Sequence, residues 1–284
     1  MQRAGARRAA GAGRRLLRNP AAVGALALLA LLAAGVWIGP HLTPWPFDRI
    51  NLLDTNAPPS AAHWFGTDEL GRDVFARTAV GGRVTLLVGL VAAAIDLVVG
   101  TVYGGVAGLA GGWVDEVMMR AVDVLYAIPL LPVVILLAMV LGRGIGAIIA
   151  AIALVNWLGM ARLVRGQVLQ LKRQEYVLAA RALGLPGWRV LFGHLLPNAA
   201  APILAWMAYS VPSAIFAEAF LSYVGLGVQS PMTSWGAMVS NGSNAFRIYP
   251  YPFFFPAAAL SLAMLAFYVL SDALHDALDP QARR

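Results

Sequence analysis

The chain has 284 residues, 60% of them hydrophobic and 12% charged, and its mean hydropathy is +0.71. A soluble domain is nearer half apolar and a quarter charged, so this composition excludes an ordinary soluble enzyme and points to an integral membrane protein. Much of the formal net charge of +7 sits in short segments beside apolar runs, as the bias of basic residues to one membrane side predicts, and the absence of cysteine excludes disulfides and thiolate metal sites.

Residues 1–19 carry Arg3, Arg7, Arg8, Arg14, Arg15 and Arg18 and no acid. Ala21–Gly39 then runs 19 residues without a charge, about 28 Å as a helix and enough to cross a hydrocarbon core. The run is longer than the core of a cleaved leader, and no small-x-small site precedes Pro40, so a retained first span is expected. Residues 40–83 form a polar segment with four prolines between Pro44 and Pro59. Its second half predicts a short helix capped by Thr67 or Asp68 and lying on the outer face, with Val74, Phe75 and Val80 on its apolar side.

Val84–Ala110 is the second span, apolar except for Asp96, with a G-x-x-x-G spacing at Gly100 and Gly104 that favours close helix packing. Gly111-Gly112 ends it, Trp113 reads as an interface anchor, and Asp115, Glu116 and Arg120 read as a short turn. The third span covers about Met118–Leu141, and Pro129 and Pro132 predict a kink or opening. Gly142–Gly146, with Arg143, is an outer turn. The fourth span is Ile145–Val164, the fifth Ala199–Leu221 and the sixth Pro252–Leu270. Residues 222–250 are too broken for a span and fit a re-entrant or surface-lying loop.

The fold class is therefore all-α, a polytopic membrane protein of six spans with both termini on one side. The chain divides into 1–83 (tail, first span and outer segment) and 84–284 (the remaining core). Arg162, Arg165, Lys172, Arg173, Arg181 and Arg189 against Glu175 alone place the segment at about 165–198 in the cytoplasm.

No nucleotide-binding G-x-x-x-x-G-K-[ST] loop occurs, and the single lysine, Lys172, follows no glycine-rich turn. The four histidines are far apart without ligand spacing, so no metal site is expected, and no G-x-S-x-G elbow is present. Asp96, Asp123, Asn156 and Glu218 are costly in lipid and are candidates for a polar path. Asp123 lies three residues after Arg120, which predicts a local ion pair. Glu218, near the outer end of its span, can snorkel to the interface. For Asp96 a path or packing role and a buried pair with another helix stay open, and Asn156 can serve as helix glue.

Glu175–Asn198, EYVLAARALGLPGWRVLFGHLLPN, is the longest water-compatible stretch with ordered periodicity. Its first helix runs to about Leu183, Gly184 is suited to a left-handed C-terminal cap, and Pro186 blocks continuation. Val177, Ala180 and Leu183 form an apolar stripe, and Trp188, Val190 and Leu191 begin a second short helix stopped by Pro197. The result is a compact basic elbow suited to being gripped by a partner.

Ala179-Ala180, Gly184 and Leu196-Pro197 resemble the EAA loop of ABC importer permeases, and YVLAARALG…HLLPN is similar to its dipeptide/oligopeptide branch. FGTDELGRD, GGWVDEVMMRAVD, SYVGLGVQSPMTSWG and DALDP agree in the family's order, from about Trp64 to Pro280. The resemblance implies a non-catalytic subunit of the bacterial inner membrane, forming half of a passage with a second, homologous permease. It implies two cytoplasmic ATP-binding subunits, which hold the ATP and magnesium so that this chain needs no cofactor, and an extracytoplasmic substrate-binding protein. It assigns the ATPase contact to Arg173, Glu175, Ala179, Ala180, Arg181, Gly184, Leu196 and Pro197. The loop's glutamate falls at Leu178 and the isoleucine before Leu-Pro at His194, so a salt bridge from position 178 is not expected. Relatives of this branch carry dipeptides, longer peptides, glutathione, nickel chelates and antimicrobial peptides. A secondary transporter or a membrane scaffold are the rivals; the missing inverted repeat and the scarcity of intramembrane acids count against the former.

Overall fold

The computed structural model describes residues 15–142 and 144–278; Arg3, Arg7, Arg8, Arg14, Arg143 and the end of the DALDP motif lie outside them. The helices are α1 (Pro20–Leu42), α2 (Val74–Ala110), α3 (Gly112–Tyr126), α4 (Leu130–Leu141), α5 (Ile145–Leu171), α6 (Glu175–Ala182), α7 (Gly187–Val190), α8 (Ala200–Tyr223), α9 (Trp235–Ser243) and α10 (Tyr251–Leu278). Among the described residues no strand forms, only an isolated bridge between Thr67 and Asp73. This is the all-α polytopic architecture that the apolar runs imply. Five helices, α1, α2, α5, α8 and α10, are long and apolar enough to cross a membrane, and α3 with α4 supply a sixth passage bent by 85°.

The bend falls where the prolines require it. Pro129 is extended (φ −63°, ψ 137°) and cannot continue α3, while Pro132 is accommodated in the first turn of α4. Asp115, Glu116 and Arg120, expected as a turn, lie within α3 because Gly111 and Gly112, at φ +68° and +55°, reverse the chain just before it.

The separate interfacial helix expected near Thr67–Arg83 is instead the outer end of α2, which runs unbroken for 37 residues. Asp73 is its N-cap, accepting from the Ala76 amide at 2.7 Å. Thr67 and Asp68 belong to a cap folded over that end. Val74, Ala76, Ala79 and Val80 are buried, and Gly82 lies against Val36 of α1 and the Trp235 ring. Arg83 donates to the carbonyls of Val36 (3.0 Å) and Trp37 (3.2 Å). These arginines dilute the hydropathy of a helix that is nonetheless inside the protein.

Midway along α2 a wide π turn, Asp96–Gly100, interrupts the α pattern. Before it, Gly89 packs on Val211 and Ile215 of α8; after it, Gly100, Gly104 and Gly108 pack in step on α5, against Met160, Ala161 and Val168. A side chain at Gly104 would run into the Ala161 carbonyl, which explains the small-residue spacing. A core of Val84, Val88, Ala92, Val134, Ile148, Ile152, Ala214 and Leu221 joins α2, α4, α5 and α8.

Candidate functional site

The elbow folds as two short helices, α6 and α7, at one end of the bundle. Its corner has a physical cause at Gly184, which sits at φ +79°. Its amide donates to the Arg181 carbonyl at 2.9 Å and the Leu185 amide to Ala180 at 3.2 Å, the paired bonds that close a helix on a left-handed glycine. After α7, a second π turn spans Leu191–Leu195 ahead of Pro197, which has no amide hydrogen and whose ring crowds the Gly193 carbonyl. The Asn198 side chain donates to the neighbouring His194 carbonyl at 2.6 Å.

The elbow is not a free loop. Val177 and Val190, both fully buried, and Leu191 and Leu195 pack with Met160, Val164 and Val168 of α5 and Ile203 of α8. Two polar ties reinforce the base. Arg165 forks onto Asp115 with bonds of 2.6 and 2.7 Å, and the Lys172 ammonium donates to the Gly108 carbonyl at 2.8 Å. The elbow, the end of α5, the end of α2 and α3 are thus one packed unit.

Its free surface carries Leu178, Leu183, Trp188 and Phe192, from 52% to 81% exposed. Arg173, Arg181 and Arg189 are exposed around them, and the Arg189 guanidinium stacks 5.1 Å over the Trp188 ring. Of the residues assigned from the sequence, Arg173, Glu175, Ala179, Arg181, Gly184 and Pro197 are on this exposed side. Ala180 is 7% exposed and Leu196 is half-buried; both face the protein and hold the elbow in place. Leu183 also departs from expectation: it lies past the end of α6, so the stripe of Val177 and Ala180 stops before it and Leu183 turns outward, 81% exposed.

The four polar intramembrane residues do not converge. Asp123 bonds to Arg162 of α5 at 2.8 Å, not to Arg120, and Arg162 also stacks 4.4 Å from the Tyr126 ring. Both members of the pair are exposed, and Asn156 is half-buried on the same helix as Arg162. Asp96 is 1% exposed at the start of the π turn, and its carboxylate oxygens have no hydrogen-bond partner among the described residues, so a buried ion pair with another helix is not formed. Glu218 is fully buried rather than snorkelling. Ser222 donates to it at 2.7 Å and Thr85 of α2 at 3.3 Å, so hydroxyls on two helices compensate the carboxylate inside the bundle.

That node anchors the 222–250 segment. Thr85 also accepts from the Trp235 amide at 3.1 Å, the Trp235 indole donates to the Thr78 carbonyl at 2.7 Å, and Ser234 caps α9 through the Ala237 amide at 3.2 Å. Trp235 is 1% exposed, so α9 is plugged into the bundle and does not lie on its surface.

Residues 100–284 match the family model for the binding-protein-dependent transport system inner membrane component, and residues 9–59 match the N-terminal TM domain of oligopeptide transport permease C. The chain therefore belongs to the binding-protein-dependent transport system permeases, as multi-pass membrane components. It is 51% identical over 272 residues to a dipeptide transport system permease protein of Bacillus subtilis, covering 95% of this chain and 85% of that protein. An oligopeptide transport system permease protein of the same organism is 48% identical over 270 residues, covering 95% and 88%. A glutathione transport system permease protein of Pectobacterium atrosepticum is 39% identical over 274 residues, covering 95% and 90%.

Proposed function

We propose that this chain is one of two membrane subunits of an ATP-driven peptide importer, and that the elbow is the part through which it is driven. The elbow end faces the cytoplasm with both termini, in the bacterial inner membrane. Two ATP-binding subunits grip it there, supplying ATP and magnesium, while a second permease completes the passage and an extracytoplasmic binding protein delivers the cargo. The observation that carries this reading is an exposed apolar and basic knob welded to the ends of α5 and α8. A rigid knob transmits a push; a loose loop would absorb it. Peptides are the cargo class favoured by the dipeptide, oligopeptide and glutathione systems to which the chain is similar.

Position 178 contributes apolar surface, being Leu178, and the charged contact falls to Arg173, Glu175 or Arg181. Asp123 and Asn156 are assigned to the passage side. Asp96 and Glu218 are assigned to holding the bundle.

The test is reconstitution of the complex with its partner permease and ATP-binding subunits in vesicles. ATP hydrolysis and peptide uptake should rise together when peptide-loaded binding protein is added. Uptake driven by an ion gradient without ATP would replace this reading with a secondary transporter, and no uptake by either route would leave a scaffold.

A further inference from the structure

A cleft of about 450 Å³ opens at the end of the bundle opposite the elbow, between the cap that precedes α2 and the second half of α9. Arg72 and Arg77 floor it, and they are 5% and 3% exposed. The two guanidiniums share one carboxylate. Asp68 takes the Arg72 Nε at 2.8 Å and lies 3.4 Å from the Arg77 Nε, and it also accepts the amides of Leu70 and Arg72, each at 3.0 Å. Arg77 donates once more, to the Phe47 carbonyl at 3.2 Å. The terminal Nη groups of Arg72 have no protein partner among the described residues. Asp68 is thus saturated while guanidinium donors remain over, and Glu69, exposed to solvent, is the other acid lining the cleft. The facing wall presents Asn241 and Tyr249. Desolvated guanidiniums with free donors are suited to receive a carboxylate in a forked pair.

We propose that this cleft receives an acidic side chain of the extracytoplasmic binding protein when that protein docks; the inference rests on the importer reading above. The lining comes from the cap, the first turn of α2, α9 and the start of α10, with nothing from α3, α4, α5 or the elbow. A ligand therefore enters from the outer face. The local excess of positive charge complements an acid and raises the rate of encounter at low salt. One forked pair at this spot also fixes the rotation of the docked protein, which a flat apolar contact would not.

The test uses the assembled transporter in nanodiscs and its cognate binding protein, with affinity measured across a salt series. Asn241 is exposed and its side chain makes no hydrogen bond among the described residues, so changing it leaves the Arg72–Asp68–Arg77 cluster folded. Asn241→Asp should weaken docking about tenfold and Asn241→Lys should tighten it, with both effects shrinking at high salt. Arg72→Lys, which keeps the charge and loses the fork, should weaken docking less than Arg72→Gln. Equal affinities for Asn241→Asp and Asn241→Lys, in a complex whose ATP hydrolysis still responds to the binding protein, would overturn the docking cleft alone. A wild-type complex that ignores the binding protein would overturn it together with the importer reading. Free peptide binding to the complex without the binding protein, and lost on Asn241→Asp, would reassign the cleft to the cargo and overturn the proposal.

Discussion

Arg165 and Asp115, fifty residues apart, face each other in a forked pair with bonds of 2.6 and 2.7 Å. Arg165 sits on α5, two turns before the elbow, and Asp115 opens α3, so the pair links the driven end of the chain to the bent passage helix. Arg165→Lys keeps the charge and loses the fork. Because Arg165 is partly exposed, the stability cost should be small, about 1 kcal/mol or less. The functional cost should be larger: binding-protein-stimulated ATP hydrolysis should fall relative to basal hydrolysis, and thermal unfolding in detergent should separate the two effects.

The glycine ladder between α2 and α5 makes a second prediction. A Cβ at Gly104 would meet the Ala161 backbone, whereas one at Gly35 would meet nothing within 4 Å. Gly104→Ala should destabilise the protein by about 1–3 kcal/mol, as overpacking does. Gly35→Ala should be neutral or slightly stabilising. Melting of the two variants in the same detergent makes the comparison.

Glu218 and its hydroxyl donors make a third. Glu218→Ala leaves Ser222 and Thr85 without their acceptor in a buried site, a cost of about 1–3 kcal/mol. The loss should appear first as loosening of α9, read as faster proteolysis between Gly225 and Ser234 than in the parent. Glu218→Gln keeps one carbonyl acceptor and should lie between the two. Ser234→Ala, which removes the N-cap of α9, should cost about 1 kcal/mol by the same assay.

The elbow's corner makes a fourth. Gly184 at φ +79° has no neighbour within 4 Å, so a larger residue fits in space but not in backbone angle. Gly184→Val should retain expression, shift the elbow and depress stimulated ATP hydrolysis. Arg181→Glu should also lower stimulated hydrolysis without loss of expression, by charge alone. Unchanged stimulation in both variants would show that neither the shape nor the charge of the elbow matters to coupling.

Legibility in the sequence followed the range of the interactions. The spans, the kink at Pro129 and the left-handed glycine at 184 depend on neighbours within a few residues, and each is where local rules put it. The partner of Asp123 is different. Arg120 has the right spacing, but Arg162 comes from another helix and gains the Tyr126 ring as well. The forked Asp115–Arg165 pair and the Lys172–Gly108 bond leave no local trace for the same reason. Arg77 and Arg83 misled in the opposite direction. They read as a water-facing boundary, while their donors are taken up by Asp68 and by carbonyls at Phe47, Val36 and Trp37. Within the elbow, helical spacing separated exposed Ala179 from buried Ala180 only once the packing of Val177 and Val190 was known. Trp235 gave a usable signal: a lone tryptophan after Thr-Ser, with a serine cap available, marks the start of a buried helix better than a surface loop.

The central claim is that the elbow is the handle held by an ATP-binding subunit. The chain has no cysteine, so a single one can be placed at will. Leu183→Cys sits on the exposed elbow and Leu53→Cys at the opposite end, where the native residues are 81% and 95% exposed. In the assembled transporter, a short thiol-to-amine cross-linker at position 183 should capture an ATP-binding subunit and halt peptide-stimulated hydrolysis, while position 53 should capture none. No cross-link from position 183 in an active complex, or one from position 53, would contradict it.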